Sequence, residues 1–230
     1  MNNSFTAFIK RKNESMHRTE TLYIASILAI IGGFADSHTY ITRDGIFAYA
    51  QTGNIIFFAM SLAGGHFFNA VYYLIPILIF VAGICFALYI KKILNKKNII
   101  EFEYAVILIN SVIFFIVGLL PESFPNAAAS GIMSFMSAVF MITFNKVEGL
   151  SYITNMCTGN LRSISENLFK FLFSKDKSGL KNAMIYFTIL FSFTLGVVLG
   201  AFFTNIFGIR SIWITSVLLL IVESLMFFDK

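Results

Sequence analysis

Long apolar segments alternate with short polar connections along the whole chain. Each apolar segment is close to the roughly 20 residues that a helix needs to cross the hydrocarbon core of a bilayer. The pattern predicts an all-α integral membrane protein, with residues 1–20 as a basic N-terminal tail and residues 21–230 as one transmembrane domain. The six predicted spans are Thr21 to Thr42, Phe67 to Ile90, Tyr104 to Leu120, Asn126 to Phe144, Leu180 to Ile206 and Ser211 to Phe228.

The tripeptide Thr-Gly-Asn occurs twice, beginning at Thr52 and at Thr158, and each copy follows one predicted span and precedes two more. An offset of 106 residues, the separation of the two threonines, lays the first span on the fourth and the third on the sixth. The repeat halves are therefore 21–120 and 126–228. Because each half has an odd number of spans, the second half is predicted to enter the membrane inverted relative to the first.

The basic residues are distributed unevenly between the two sides of this topology. With a cytoplasmic N-terminus, all of the 17 Lys and Arg residues except Arg43 and Arg210 fall on the cytoplasmic side, as the positive-inside rule requires. If both motif segments crossed the membrane, the cluster from Lys91 to Lys97 would lie outside. If only the first crossed, the chain would have seven spans and an external basic tail. We predict six spans with both termini cytoplasmic, and seven spans is the alternative.

The two motifs head different kinds of segment. In each tripeptide, Thr can cap a helix, Gly allows close backbone approach and Asn can stabilise the first turn. Residues 55–62 are apolar and are followed by two glycines, which predicts a short helix that re-enters the membrane. After Thr158, Leu161 and Leu168 lie on a face opposite Arg162 and Glu166. This pattern predicts an amphipathic helix, which we expect at the cytoplasmic surface.

Asp36 is the strongest candidate for a functional residue. A carboxylate at the centre of a span costs about 2.5–3.5 kcal/mol on insertion scales unless something compensates it, and Gly32-Gly33 in the same span allows a neighbouring helix to approach closely. The predicted substrate or pathway residues combine Asp36 with polar residues at the two motifs: Gln51, Thr52, Gly53, Asn54, Thr158, Gly159 and Asn160. The alternative is that Asp36 only bonds a neighbouring helix and that both tripeptides are helix caps in connecting loops.

Composition supports a membrane protein and argues against other classes. Hydrophobic residues make up 57% of the chain and charged residues 13%, against about 45–50% and about 25% in soluble domains. The net charge of +5 arises from short clusters beside apolar segments, so we expect no nucleic-acid partner. Phosphate-loop, zinc-binding and nucleophile-elbow motifs are absent, and Cys85 and Cys157 are isolated thiols that we expect to be packing residues. We therefore predict no enzyme, no cofactor and no metal site.

Both motifs and the Gly/Asp element are similar to those of a known family. The stretches from Gly32 to Asp36, from Phe47 to Asn54 and from Met156 to Ser163 resemble the YoaK family of uncharacterised bacterial membrane proteins, domain of unknown function 1275. The resemblance covers nearly the whole chain. It implies a multi-pass protein of the bacterial inner membrane and no established substrate.

These observations predict a transporter or channel for a small solute or ion, with a polar pathway between the two inverted halves. The lipid bilayer is its first partner, and the small number of spans favours a homo-oligomer. The alternative is a non-transporting assembly factor or sensor whose basic loops bind a cytoplasmic partner.

Overall fold

Helices make up nearly all of the described chain, which comprises residues 20–94, 96–152 and 157–228 of the computed structural model. The predicted basic tail therefore lies outside the described residues, except for Glu20. Two short strands, β1 (Lys146–Val147) and β2 (Leu150–Ser151), form an antiparallel hairpin, and a 3-10 helix (Gly208–Ile212) joins the last two helices. The α-helices are α1 (Leu22–Thr42), α2 (Gln51–Ala63), α3 (Phe67–Ile93), α4 (Lys96–Val117), α5 (Asn126–Thr143), α6 (Cys157–Ser174), α7 (Lys177–Phe207) and α8 (Trp213–Phe228).

Four segments of the described chain are long and apolar enough to cross a membrane. They are Leu22–Thr42, Phe67–Ile93, Asn126–Thr143 and Lys177–Phe227, the last of which contains both α7 and α8. All the predicted spans except the third lie within these segments to within one residue, and most of the third lies in α4. The helical fold and its membrane-like character are thus confirmed.

The central core lies between α1, α4, α5 and α8. In α1, 72% of the apolar window is buried, whereas only 17% of the window in α3 is buried, so α1 is central and α3 is peripheral. The long helix α7 likewise carries exposed large apolar side chains along its length. The core side chains include Ile24, Leu28, Ile31, Val106, Ile107, Phe114, Met133, Val139, Phe140, Leu219, Val222 and Met226.

The helices pair in a recurring pattern. The most extensive contacts join α1 to α7 and α3 to α5. The short helix α2 packs on α3 and α6 packs on α7, while α4 packs on α8. Smaller contacts join α1 to α8 and α5 to α4. If α1, α2, α3 and α4 are exchanged with α5, α6, α7 and α8, in that order, the same set of helix contacts results.

Glycines bring the paired helices into backbone contact. A side chain at Gly33 would overlap the carbonyl oxygen of Phe193, and one at Gly196 would overlap the carbonyl oxygen of Ile30. This confirms the predicted close approach at Gly33. In the α3–α5 pair, a Cβ at Gly83 would lie 2.7 Å from the carbonyl oxygen of Phe135, so both main pairings depend on small residues.

Side-chain hydrogen bonds join the helices at one end of the bundle, which we call the Arg43 end. Arg43 follows the last residue of α1, and its Nη1 donates to Asn126 Oδ1 at the start of α5 over 3.2 Å. At the junction of α4 and α8, Trp213 Nε1 donates to the Phe115 carbonyl over 3.0 Å. This end holds the C-termini of α1 and α4 and the N-termini of α5 and α8.

The opposite end of the bundle, the Lys91 end, is joined in the same way. Lys91 near the end of α3 donates its Nζ to the Ile142 carbonyl near the end of α5. The Glu148 N–H in the hairpin donates to the carbonyl of Glu20, just before α1, over 2.7 Å. Consecutive long helices therefore run in alternating directions between the two ends.

Candidate functional site

After α1 the chain turns back into the bundle. Asp44 and Gly45 adopt positive φ angles of 52° and 77°, which form the turn. Residues 46–50 then run back along α1, where Ala48 N–H donates to Thr39 Oγ1 over 3.2 Å. The segment reaches the level of Asp36, six residues before the end of α1 and about 9 Å below it along the helix axis. Helix α2 therefore begins inside the bundle and returns towards the Arg43 end, where α3 starts.

Asp36 anchors this returning segment. Its Oδ1 accepts hydrogen bonds from the backbone N–H groups of Tyr49 at 2.7 Å and Ala50 at 3.1 Å, the two residues just before α2. The residue is only 3% exposed. Its second oxygen, Oδ2, has no hydrogen-bond partner among the described residues. One oxygen of the carboxylate thus holds the two residues just before α2, and the other is buried without a partner among the described residues.

In the first Thr-Gly-Asn motif, two residues hold the returning segment and the other faces outwards. A Cβ at Gly53 would lie 2.6 Å from the Phe47 ring, so the glycine makes room for that ring. Asn54 Nδ2 donates to the Phe47 carbonyl at 2.8 Å, and its Oδ1 accepts from the Phe47 N–H at 2.9 Å. Asn54 also donates to Gln51 Oε1. Gly53 and Asn54 therefore hold the backbone, whereas Thr52 is exposed.

Both motif helices begin at one cavity of about 900 Å³, the motif cavity. Phe80 and Phe193, at the middle of α3 and α7, place it halfway along the bundle. The other lining residues are Asp36, Ser37, Tyr40, Ile41, Phe47, Tyr49, Ala50, Gln51, Thr52, Met141, Cys157, Thr158, Val197 and Ala201. The structure thus brings four predicted site residues together: Asp36, Gln51, Thr52 and Thr158.

The other predicted site residues lie outside the lining of this cavity. Gly53 and Asn54 contact Phe47 as described above. Gly159 is exposed, and Asn160 is buried in α6. Among the predicted pathway residues, those that line the cavity are therefore the first residue of each tripeptide, Asp36 and Gln51.

Helix α6, which we expected to be amphipathic and to lie at the cytoplasmic surface, packs along α7 with most of its residues exposed. Gly179 near the start of α7 lies against the backbone of Asn167 and Phe171, with a Cβ position 2.6 Å from the Asn167 carbonyl oxygen. Thr158 at the other end of α6 shares the cavity lining with Phe193. Helix α6 therefore runs along the first half of α7, from the cavity to the Lys91 end, because Gly179 allows close contact and Ile164 packs against the apolar cluster beside it.

Several lining residues had no assigned role in the sequence prediction. Tyr40 follows Asp36 by one helical turn, so helical spacing was an available signal for it. Phe80 and Phe193 gave no signal, because phenylalanine is abundant throughout the chain. Cys157 was expected to be a packing residue, but it is half-buried at the cavity, and Cys85 is exposed on α3.

The described part of the cavity wall has one acidic side chain and no basic one. Aromatic rings and hydroxyl or amide groups supply most of the remaining side chains. Within residues 20–94, 96–152 and 157–228, no group of three His, Cys, Asp or Glu side chains is placed to hold a metal ion. The site is chemically suited to binding or passage of a small molecule or ion.

Comparison with known proteins identifies a family but no characterised relative. No curated protein and no solved structure matches the chain. One family model, described as "Protein of unknown function (DUF1275)", matches residues 24–225 and so covers most of the chain, including both motifs and Asp36. The chain belongs to this family, the one that its Thr-Gly-Asn and Gly/Asp elements predicted.

Proposed function

We propose that the protein is a membrane transporter or channel for a small solute or ion, and that its pathway passes through the motif cavity. The observation that carries this proposal is the convergence of the two motif helices, whose first residues line the same cavity as Asp36. Non-helical backbone at membrane depth occurs where it is buried in protein or lines a wet cavity. The returning segment before α2 is largely buried in protein, and its residues Phe47, Tyr49 and Ala50 line the motif cavity.

An inverted repeat accounts for this convergence. The helix contacts keep the same pattern when the two halves are exchanged, as a two-fold relation requires. Ser111 and Ser216 are 105 residues apart and donate to each other's backbone carbonyls at 3.0 Å and 2.8 Å. Their separation is close to the repeat offset of 106. A residue on a two-fold axis contacts its own counterpart, so this pair supports an axis between α4 and α8.

Six crossings fit the arrangement of helix ends better than seven. Seven crossings would require the segment between α1 and α3 to traverse the bundle. Instead, Gly45 after α1 lies beside Tyr73 near the start of α3, so both helix termini share the Arg43 end. The basic residues Lys91, Lys92 and Lys146 lie at the other end, which we propose faces the cytoplasm of a bacterial inner membrane.

Cysteine accessibility tests whether water reaches the motif cavity. In a Cys85→Ser background, a membrane-impermeant thiol reagent should modify Cys157, and, with Cys157 also replaced by Ser, it should modify a cysteine introduced by Thr52→Cys. Both positions line the cavity. Modification is measured as a mass shift of protein in native membranes, and it should also reduce solute flux in proteoliposomes.

Two positions serve as controls. A cysteine introduced by Val198→Cys on the exposed apolar side of α7 should stay unreactive, because lipid prevents formation of the thiolate. A cysteine introduced by Ser130→Cys in the core should also stay protected. Complete protection at positions 52 and 157 would exclude an aqueous pathway and favour an assembly factor or sensor instead.

A further inference from the structure

We infer that the motif cavity binds a small organic cation, an ammonium group attached to a compact apolar body. The inference rests on the proposed function for the location of the pathway, and it adds the chemical class of the solute. Three observations carry it: the buried oxygen of Asp36 that has no partner among the described residues, the aromatic walls and the absence of a basic side chain from the described lining.

The first observation concerns charge. Asp36 is 3% exposed, and the α2 backbone occupies only its Oδ1. The remaining Oδ2 is a buried acceptor without a hydrogen-bond partner among the described residues. A buried polar atom of this kind costs about 1–3 kcal/mol unless a donor reaches it. A positively charged donor in the cavity would supply both the hydrogen bond and the compensating charge.

The second observation concerns the remaining walls. Tyr40, Phe47, Tyr49, Phe80 and Phe193 contribute aromatic side chains to the lining. Aromatic faces attract alkylammonium groups through their quadrupoles. Small metal cations are held by several ligands, carboxylates prominent among them, whereas the described lining has one carboxylate and no group of three His, Cys, Asp or Glu side chains placed to hold a metal ion. The lining therefore favours an organic cation over a metal ion and over an anion.

Matched ligands test the inference on the purified full-length protein. 2,2-Dimethylpropylammonium, 2,2-dimethylpropan-1-ol and trimethylacetate share a compact apolar body and carry a cationic N–H donor, a neutral hydroxyl and an anionic carboxylate, respectively. Binding is measured as the ligand-dependent rise in unfolding temperature at constant ionic strength. We expect a saturable rise with the cation alone. Equal shifts with all three compounds, or no shift with the cation, would overturn the inference.

Variants locate the binding. Asp36→Asn keeps an acceptor for Tyr49 and Ala50 but removes the charge, so the apparent affinity for 2,2-dimethylpropylammonium should fall at least tenfold. Glu223→Gln, at an α8 carboxylate outside the cavity lining, should bind as the native protein does. If Asp36→Asn unfolds, Phe80→Leu provides the test, with an expected loss of roughly two- to fivefold. Unchanged affinity in a folded Asp36→Asn variant, or in Phe80→Leu, would contradict the inference.

The outcome is separable from that of the proposed function. Cysteine labelling at positions 52 and 157 reports whether a wet pathway exists, whatever passes through it. Labelling at both positions together with no response to the cation would refute the solute class alone and leave the pathway in place.

Discussion

Asn54 holds the backbone of Phe47 in the returning segment, as Asp36 holds that of Tyr49 and Ala50. The segment leaves helical geometry inside the bundle, so its backbone groups lack the partners that a helix provides. The Asn54 side chain forms hydrogen bonds with both the N–H and the carbonyl of Phe47, and Asn54 is fully buried. An amide, which has a donor and an acceptor on the same group, is what this geometry requires.

We predict that Asn54→Ala strongly destabilises the protein. The substitution leaves the Phe47 N–H and carbonyl unpaired, at a cost of about 1–3 kcal/mol for each group. Thermal unfolding in mild detergent measures the effect. Asn69→Ala, at an exposed asparagine in the first turn of α3, is the matched control and should leave the unfolding temperature nearly unchanged. Equal effects of the two substitutions would show that Asn54 does not hold the segment.

At the scale of elements, the contact between α1 and α7 leaves very little room for an added side-chain atom, because the two backbones touch there. Gly196→Ala would place a methyl group against the Ile30 carbonyl, and we expect a loss of about 1–3 kcal/mol from forced separation of the helices. Val198→Leu also adds one carbon to α7, but on its exposed side. Thermal unfolding of the two variants should therefore differ clearly, and similar stabilities would argue against tight α1–α7 packing.

The sequence predicted the long helices well and the short elements less well. The apolar run Asn126 to Phe144 became α5 (Asn126–Thr143) almost residue for residue, because lipid exposure and burial both demand apolar side chains over the full length of a span. The amphipathic pattern of α6 shows which of its residues are polar, but it does not show which helix α6 packs against. Gly179, which decides that contact, lies in α7.

The returning segment could not be predicted from the sequence, for a related reason. Ile46, Ala48 and Tyr49 are apolar, so they read as a continuation of the apolar run that contains α2, although they are not helical and they pack against α1 and α5. Asp36 was identifiable because a carboxylate is conspicuous in an apolar span. Its partners, two backbone N–H groups beyond the end of α1, were not, since every residue but proline carries such a donor.

At the scale of the whole molecule, the two halves share a pattern of contacts but differ in chemistry. The offset of 106 residues places Ile142 opposite Asp36, so the second half has no carboxylate at that position. The described lining of the cavity therefore has a single acidic side chain. The pathway that we propose would combine a similar helix arrangement on its two sides with an asymmetric charge, which suits one binding position better than two equivalent ones.

The sidedness of the bundle gives a prediction that also separates six crossings from seven. Glu122 lies in the exposed loop between α4 and α5, and Lys175 lies between α6 and α7. In a cysteine-free background, Glu122→Cys should react with an impermeant reagent in intact cells, and Lys175→Cys should react only after permeabilisation. These two positions behave alike in both topologies and serve as controls.

Asp44 is the position that discriminates, because it immediately follows the end of α1 and is exposed. Its Oδ2 accepts a hydrogen bond from Asn126 Nδ2 at 2.7 Å, which ties it to the start of α5 and hence to the same side as Glu122. With six crossings, a cysteine introduced by Asp44→Cys reacts in intact cells as the one at position 122 does. With seven, it reacts only after permeabilisation, as the one at position 175 does, and the returning segment before α2 would have to be a span.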